Sequence, residues 1–403
     1  MLRAIVFVTA FLLLHPLETS AQVTNLHSDE PIGSVREVYD GALMPTIQVN
    51  TFRNIDRLFS TRVVERGQNV YPLPDAAAQI ESLEIESGGE TFDLFDYVSR
   101  NRVSGLVAIK DGEIVLELYE LANTADTRWM SMSVVKSMVA TLTGAAIKDG
   151  HIESMDTPIT RYLPQLTYSA YEGVTVRNLL QMASGVEWNE TYTDPTSDRR
   201  HMLEVQISQE PGALIELMSE LPRAADPGTR WNYSTGETQI LAALVSAATE
   251  RPVAQYLSEK IWSKFGMEAD ATWWLDSPGG LEIGGSGLSA KLRDYARFGL
   301  FLLNGGIAGG EAVLPEGWLE EATSPKTIGT EEVDYGYMLW PVPEAEADIH
   351  SGAFEARGIF GQRVYVNPSE NVVVALWSAR SKPREGETIP DRDFYAALME
   401  AVR

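Results

Sequence analysis

The chain contains no cysteine. That absence excludes a disulfide framework, a cysteine nucleophile and any thiolate metal site, so the fold must be held by its core. Histidine is nearly as scarce: His15, His27, His151, His201 and His350 are the five present. No Gly-x-Ser-x-Gly elbow occurs, so no local signature supports a Ser-His-Asp triad. Positive charge is in deficit, with 32 Lys and Arg against 57 Asp and Glu, a net charge of −25. A surface this acidic repels nucleic acid and anionic membranes, and neither is expected as a partner. The acidic residues are scattered, so no acidic interaction tail is inferred.

Long apolar runs are also missing, except at the very start. "MLRAIVFVTAFLLLHPLETSA" has a basic Arg3, an apolar stretch from Ala4 to Leu14, and Thr19-Ser20-Ala21 before Gln22. That order predicts a signal peptide over residues 1–21, cut after Ala21. The run is short for a membrane span, and a membrane anchor is the alternative. The mature protein is expected to be exported, periplasmic or secreted, with no stable membrane insertion. Losing the leader removes Arg3 and Glu18, so the charge balance stays the same.

What is present is the composition of a globular protein, 44% apolar and 22% charged over 403 residues. Residues 22–90 are rich in turn formers and read as an N-terminal extension packed on the main body. "LVAIKDGEIVLELYE" is two β-favouring runs joined by Asp111-Gly112, a hairpin signal. From Val134, apolar residues recur at helical spacing through Ala146, and Gly150 suits a helix stop. The stretch from about 150 to 280 is mostly helical in pattern. "GQRVYVNPSENVVVALWS" predicts a second hairpin, and "DRDFYAALMEAVR" a closing helix. The expected fold is α/β (α+β): an antiparallel sheet from residues about 90–130 and 285–403, flanked by helices, with an inserted all-helical domain. The expected division is a discontinuous α/β domain over 91–149 and 285–403 and a helical domain over 150–284.

At the start of the helix that begins near Val134 stands Ser133-Val134-Val135-Lys136. One reading is a helix whose Ser131 or Ser133 caps it and whose lysine snorkels. The other is chemical. Residues i and i+3 share a helix face, so Lys136 can reach the Ser133 hydroxyl. A serine attacks only when a base takes its proton. Lysine serves if burial and a positive helix N-terminus disfavour its ammonium form. The same N-terminus offers a backbone N–H to an oxyanion.

Five segments in order, "SMSVVKSM", "LLQMASGVEWNETYTDPTSD", "RWNYSTGET", "LSAKLRDYARFG" and "FEARGIFGQRVYVNP", resemble the serine β-lactamase-like superfamily. That group includes class C β-lactamases, D-alanyl-D-alanine peptidases, carboxylesterases and nylon-oligomer (6-aminohexanoate-dimer) hydrolases. The Ala356-Arg357-Gly358…Gly361-Gln362 pattern and the "WNETY" loop are most similar to the nylon-oligomer and esterase branch. The resemblance implies Ser133 as nucleophile, Lys136 as its base, and Tyr233 as a general acid/base whose phenol is acidified by nearby cations. It implies the backbone N–H groups of Ser133 and Ile359 as the oxyanion donors. Tyr192, Trp188 and Gly358 are implied to bind substrate, with Trp231, Trp340 and Phe360 candidates for an acyl pocket. No metal or other cofactor is implied.

Two departures separate the chain from the β-lactamases. Thr235 stands third in the tyrosine motif, where they carry Asn. Ala356 replaces the lysine of Lys-Thr-Gly, and Arg357 beside it should leave the opposite face of a strand. The resemblance therefore implies a secreted serine hydrolase of carboxylic esters or linear amides, its partner a small-molecule substrate. A D-alanyl-D-alanine peptidase, penicillin-binding or β-lactamase-type enzyme is the alternative, and a non-catalytic binding protein of the same fold a third. Oligomeric state is open.

Overall fold

"LVAI" at 106–109 and "VVVALW" at 372–377 are apolar at every position, the pattern of strands covered on both faces. The computed structural model, which describes residues 25–343, 349–384 and 388–403, places them side by side. The expected leader at 1–21 lies outside the described residues. Strands Val103–Lys110 and Val372–Ser378 sit inside a six-stranded antiparallel sheet. From one edge its order is Trp340–Pro341, Phe354–Arg357, Arg363–Asn367, Val372–Ser378, Val103–Lys110 and Glu113–Tyr119. Both expected hairpins are there. In the first, Asp111 and Gly112 both have positive φ (53° and 85°), as a two-residue turn matched to strand twist requires.

Period-two alternation divides the strands between two layers. Val107, Ile109, Val364, Val373, Ala375 and Trp377 join the larger core with helices Val134–Lys148 and Leu292–Leu303. Leu106, Ala108, Tyr365, Val374 and Leu376 face the other way, against Phe394, Tyr395 and Leu398 of the closing helix Asp391–Ala401.

The sheet is smaller than the sequence pattern suggested. Strands Arg128–Met130 and Leu288–Lys291 do not join it. They pair with Ala271–Trp274 and Thr61–Val64 in a separate four-stranded sheet, so the N-terminal stretch contributes a strand of its own. The chain turns away after Tyr119 through Leu121 and Ala122, both at positive φ. This second sheet fixes the entry to the helix Val134–Lys148: Met130 pairs with Ser289, and the Ser131 N–H donates to the Leu288 carbonyl at 2.7 Å. Helices Asp198–Ser208, Ala213–Glu220 and Thr235–Thr249 pack against one another. The last of these packs against Val134–Lys148.

Helix Leu292–Leu303 lies against the large sheet so closely that a Cβ at Gly299 would fall 2.6 Å from Val373 Cγ1 and 2.9 Å from Val364 Cγ1. Gly299→Val is therefore expected to lower the unfolding free energy by roughly 1–3 kcal/mol through overpacking. A shift of the urea midpoint to lower concentration checks this; an unchanged midpoint contradicts it.

Candidate active site

Ser133 occupies the N-cap position of helix Val134–Lys148 but makes no side-chain capping bond. Ser131 does not cap the helix either: its hydroxyl donates to the Met132 carbonyl at 2.9 Å. Met132 has a φ of 42°, left-handed for a non-glycine residue immediately before the serine. The Ser133 side chain lies near enough to the phenol of Tyr233, from the segment that leads into helix Thr235–Thr249, to lower the phenol's pKa.

Lys136 is one turn into the helix and 1% exposed. Its Nζ donates to Thr235 Oγ1 at 2.9 Å and to the Gly285 carbonyl at 3.2 Å. Its nitrogen lies 5.6 Å from the centre of the Tyr233 ring. Burial pushes its pKa down to about 7; the Glu190 charge opposes the fall and that of Arg199 adds to it. The direct bond to Ser133 expected from the i, i+3 spacing is not among its hydrogen bonds. The Tyr233 ring lies near both groups.

Thr235 Oγ1 gives its own hydrogen to Glu190 Oε1 at 2.5 Å, so towards Lys136 it can only accept. A neutral lysine amine has two N–H donors, and here both are committed. Among the described residues no donor faces its lone pair, which can take a proton. Glu190 in turn accepts from the Thr235 N–H at 2.9 Å and from the Trp188 indole, and its charge raises the pKa of the Tyr192 phenol. Its negative charge is thus fully engaged beside the lysine without touching it.

The Tyr233 phenol departs from expectation. Burial first, and Glu190 second, push its pKa above the usual tyrosine value; the nearby Ser133 side chain and the charges of Arg384 and Arg199 only partly counter this. The acidified phenol implied by the resemblance is therefore corrected. The phenol stays protonated near neutral pH, because the cations near it are outweighed by the cost of burying a phenolate.

Of these groups, Ser133, Glu190 and Tyr233 line one cavity of about 490 Å³, and Lys136 and Thr235 do not. Tyr192, Gly358 and Ile359 line it with Ser133 and Tyr233, and Trp231 and Trp340 form an aromatic wall. Tyr233 and Trp340 have ring centres 5.8 Å apart. Trp188 lines the adjoining cavity rather than this one, reaching the site through Glu190. Phe360 lines neither: it is fully buried, 4.9 Å from Phe52, and belongs to the core. At Gly358, a Cβ would collide with Gln362 and approach the Ser131 carbonyl at 3.0 Å, so the strand end lies directly beside the turn that carries Ser133. Neither the Ser133 N–H nor the Ile359 N–H finds a backbone acceptor among the described residues. Ala356 is buried in the core. Arg357 leaves the other face beside Glu355, as the pleat dictates. Being last in its strand, it still reaches the cavity rim, its guanidinium 5.2 Å from the Trp340 ring centre.

The Beta-lactamase family profile matches residues 94–398. The chain belongs to that family. It is 30% identical to the 6-aminohexanoate-dimer hydrolase of Paenarthrobacter ureafaciens over 344 residues, covering 81% of this chain and 84% of that protein. Among solved structures it is similar to a Bacillus anthracis protein provisionally named a 6-aminohexanoate-dimer hydrolase (TM-score 0.75, 21% identity, 93% of this chain and 97% of that one). It also shares its fold with a family VIII carboxylesterase (TM-score 0.57, 17% identity, 73% and 91% covered). The relatives are hydrolases of the serine β-lactamase fold. Family membership accounts for the arrangement of antiparallel sheet and helices described above.

Glu190, Thr235 and Gly285 were not singled out for the site by sequence reasoning. Glu190 sits inside the "WNETY" loop, two residues before Tyr192, where an acid among aromatics was the available signal. Gly285 had none. A Cβ there would lie 2.6 Å from Lys136 Nζ and 2.5 Å from Thr235 Cγ2. Gly285→Ala is thus expected to displace the amine and slow hydrolysis of a p-nitrophenyl ester by on the order of 10–100-fold. Unaltered turnover in a folded variant would show that the amine position is not critical.

Proposed function

We propose that the chain is an exported serine hydrolase that cleaves carboxylic esters or linear amides through an acyl-enzyme on Ser133. The observation that carries this reading is the buried Lys136 amine. Both of its N–H groups are spoken for, its pKa is near 7, and its lone pair is available in the same cluster as the Ser133 hydroxyl. Lys136 takes the proton of Ser133 with the Tyr233 phenol as the bridge between them. The Ser133 oxygen adds to the substrate carbonyl, and the N–H groups of Ser133 and Ile359 receive the oxyanion. Tyr233, protonated because it is buried, gives its hydrogen to the leaving alcohol or amine and regains one from Lys136. Water then attacks the acyl-enzyme by the same route, releasing the acid and restoring Ser133.

Tyr192, with Trp188 behind it, and Gly358 shape the substrate cleft. Short-chain esters come first as substrates and linear amides next. The similarity to a 6-aminohexanoate-dimer hydrolase supports the amides, and the shared fold with a carboxylesterase is consistent with the esters. The leader-like residues 1–21 support export, and no helix among the described residues is long and apolar enough to cross a membrane. A β-lactam or wall-peptide specificity has less in its favour, since Ala356 is buried where the Lys-Thr-Gly motif carries its cation.

Ser133→Ala is expected to reduce hydrolysis of p-nitrophenyl butyrate by on the order of 10³-fold or more. A fluorophosphonate probe should label the native protein at Ser133 and leave the variant blank. Butyrate hydrolysis that survives the substitution would refute the assignment.

The pH profile is a separate check. Lys136 acts as a base only when deprotonated, so kcat/KM should rise with pH and level off above about 7. Glu190 favours the ammonium form, so Glu190→Gln should move that limb to lower pH. A limb near the ordinary lysine value, or one that moves upward in the variant, would contradict Lys136 as the base.

A further inference from the structure

Tyr39 and Asp40 end the short N-terminal helix Val35–Asp40, within the stretch that reads from sequence as an extension packed on the main body. Both precede residues 94–398, which match the family profile. They nevertheless meet the wall of the cavity that holds Ser133. The Tyr39 ring is 1% exposed and stacks on that of Tyr192, with centres 6.3 Å apart and planes inclined by 25°. The Asp40 carboxylate accepts from Arg200 Nη1 at 2.5 Å, and the same nitrogen donates to the Tyr192 carbonyl at 3.2 Å. The ring and the backbone of Tyr192 are thus both held from the N-terminal helix.

Arg199 anchors this contact at a cost. It is buried, with its guanidinium carbon 4.3 Å from the centre of the Tyr39 ring, and Nη2 donates to the Tyr39 hydroxyl. Its Nε and Nη1 have no hydrogen-bond partner, and no carboxylate pairs with it among the described residues. A ring face offsets part of the desolvation of a buried cation, but unmade hydrogen bonds remain a penalty. Breaches of this kind concentrate at functional sites. The Arg199 charge acts on Lys136, Tyr192 and Tyr233, so the guanidinium stands close behind the site. Loop and arginine form one unit. The Arg199 N–H donates to the Asn189 carbonyl at 3.1 Å, the Ser197 hydroxyl to the Thr191 carbonyl at 2.6 Å, and the Asn189 N–H to Asp198 Oδ2 at 2.7 Å. The N-terminal helix is itself pinned at both ends, by Arg36 against Glu204 at 2.6 Å and by Lys382 Nζ donating to the Gly41 carbonyl at 2.7 Å.

We propose that Tyr39 is a positioning residue for the reaction at Ser133: stacked on Tyr192 and held by Arg199, it fixes Tyr192 at the cavity wall, which makes the N-terminal helix a working part of the site. The inference rests on the acyl-enzyme reading above and adds a residue from outside the cavity. Tyr39 does not line that cavity, so its effect passes through Tyr192. A tyrosine on an irregular loop loses side-chain and backbone freedom when it is ordered, and a second ring packed on it removes that freedom before substrate arrives. Preorganisation of this kind matters because a misplacement of about 1 Å at a reacting centre can cost on the order of 100-fold in rate.

The test is a double-mutant cycle on p-nitrophenyl butyrate hydrolysis, with rates expressed per site titrated by a fluorophosphonate probe so that unfolded protein does not count. Tyr39→Leu should lower kcat/KM by about tenfold in the native background, and by less than about twofold where Tyr192→Ala is already present. Tyr39→Phe keeps the ring and should lose less than Tyr39→Leu. Hydrogen exchange gives a readout that needs no activity: Tyr39→Leu should speed exchange of the amides at 189–200 and leave those of strand Val103–Lys110 as they are. An unaltered kcat/KM in Tyr39→Leu overturns the proposal, as does an equal loss with and without the Tyr192 side chain. Exchange at 189–200 that matches the native protein, or that quickens equally in the strand, overturns it too, the latter because it marks a loss of overall stability. A loss that Tyr39→Phe shares in full removes the role of the ring. If the native protein shows no Ser133-dependent hydrolysis, the acyl-enzyme reading falls, and the exchange data alone decide whether Tyr39 holds the loop.

Discussion

The site depends on one costly placement: an amine buried at the junction of two helices with no carboxylate in direct contact. A lysine held at about 7 rather than 10.5 corresponds to about 5 kcal/mol of disfavoured ammonium. The fold carries that cost because the alternatives are closed off. Helices Val134–Lys148 and Thr235–Thr249 pack against one another and exclude water from Nζ, while Gly285 leaves just enough room for it. What the amine meets is a hydroxyl and a carbonyl, both neutral acceptors. Those partners orient the nitrogen and put no negative charge in contact with it.

Glu190 shows how a charge can assist without defeating that condition. A carboxylate bonded directly to Nζ would hold the proton and keep the amine an ammonium. Standing one hydroxyl away, behind Thr235, Glu190 orders the threonine, and through it the lysine. It also ties the Trp188–Tyr192 loop to the start of helix Thr235–Thr249. The threonine that replaces asparagine in the tyrosine motif is thereby explained: a hydroxyl can accept from the lysine while donating to the acid. The same burial that lowers the pKa of Lys136 raises that of Tyr233, so one environment disfavours both the ammonium and the phenolate.

Much of the architecture could be read directly from the residues. The runs 106–109 and 372–377 are apolar on both faces, and Asp111-Gly112 supplies two left-handed positions, so the hairpins and their burial followed from local chemistry. The helix Val134–Lys148 was legible from its spacing and its stop at Gly150. Less legible was the partner of each strand. Arg128–Met130 and Leu288–Lys291 look like members of the large sheet but pair in another, because pairing depends on where the chain turns, and short strands carry no record of that.

Sequence alone determined which residue types could do chemistry here. Without cysteine, and with no histidine in a recognisable motif, a serine beside a lysine at i+3 was a candidate, and the resemblance to the serine β-lactamase-like superfamily pointed to it and to Tyr233. Tertiary structure decided where those groups stand and what surrounds them. It put the Lys136 hydrogen bonds on Thr235 and Gly285 rather than on Ser133, kept the Tyr233 phenol protonated, moved Phe360 into the core, and brought Glu190 and Arg384 to the cavity from segments 45 and 151 residues away from Thr235 and Tyr233. The reason is physical. Donor and acceptor types are properties of a side chain, whereas protonation and orientation belong to its surroundings, and burial exists only once distant parts of the chain have packed together.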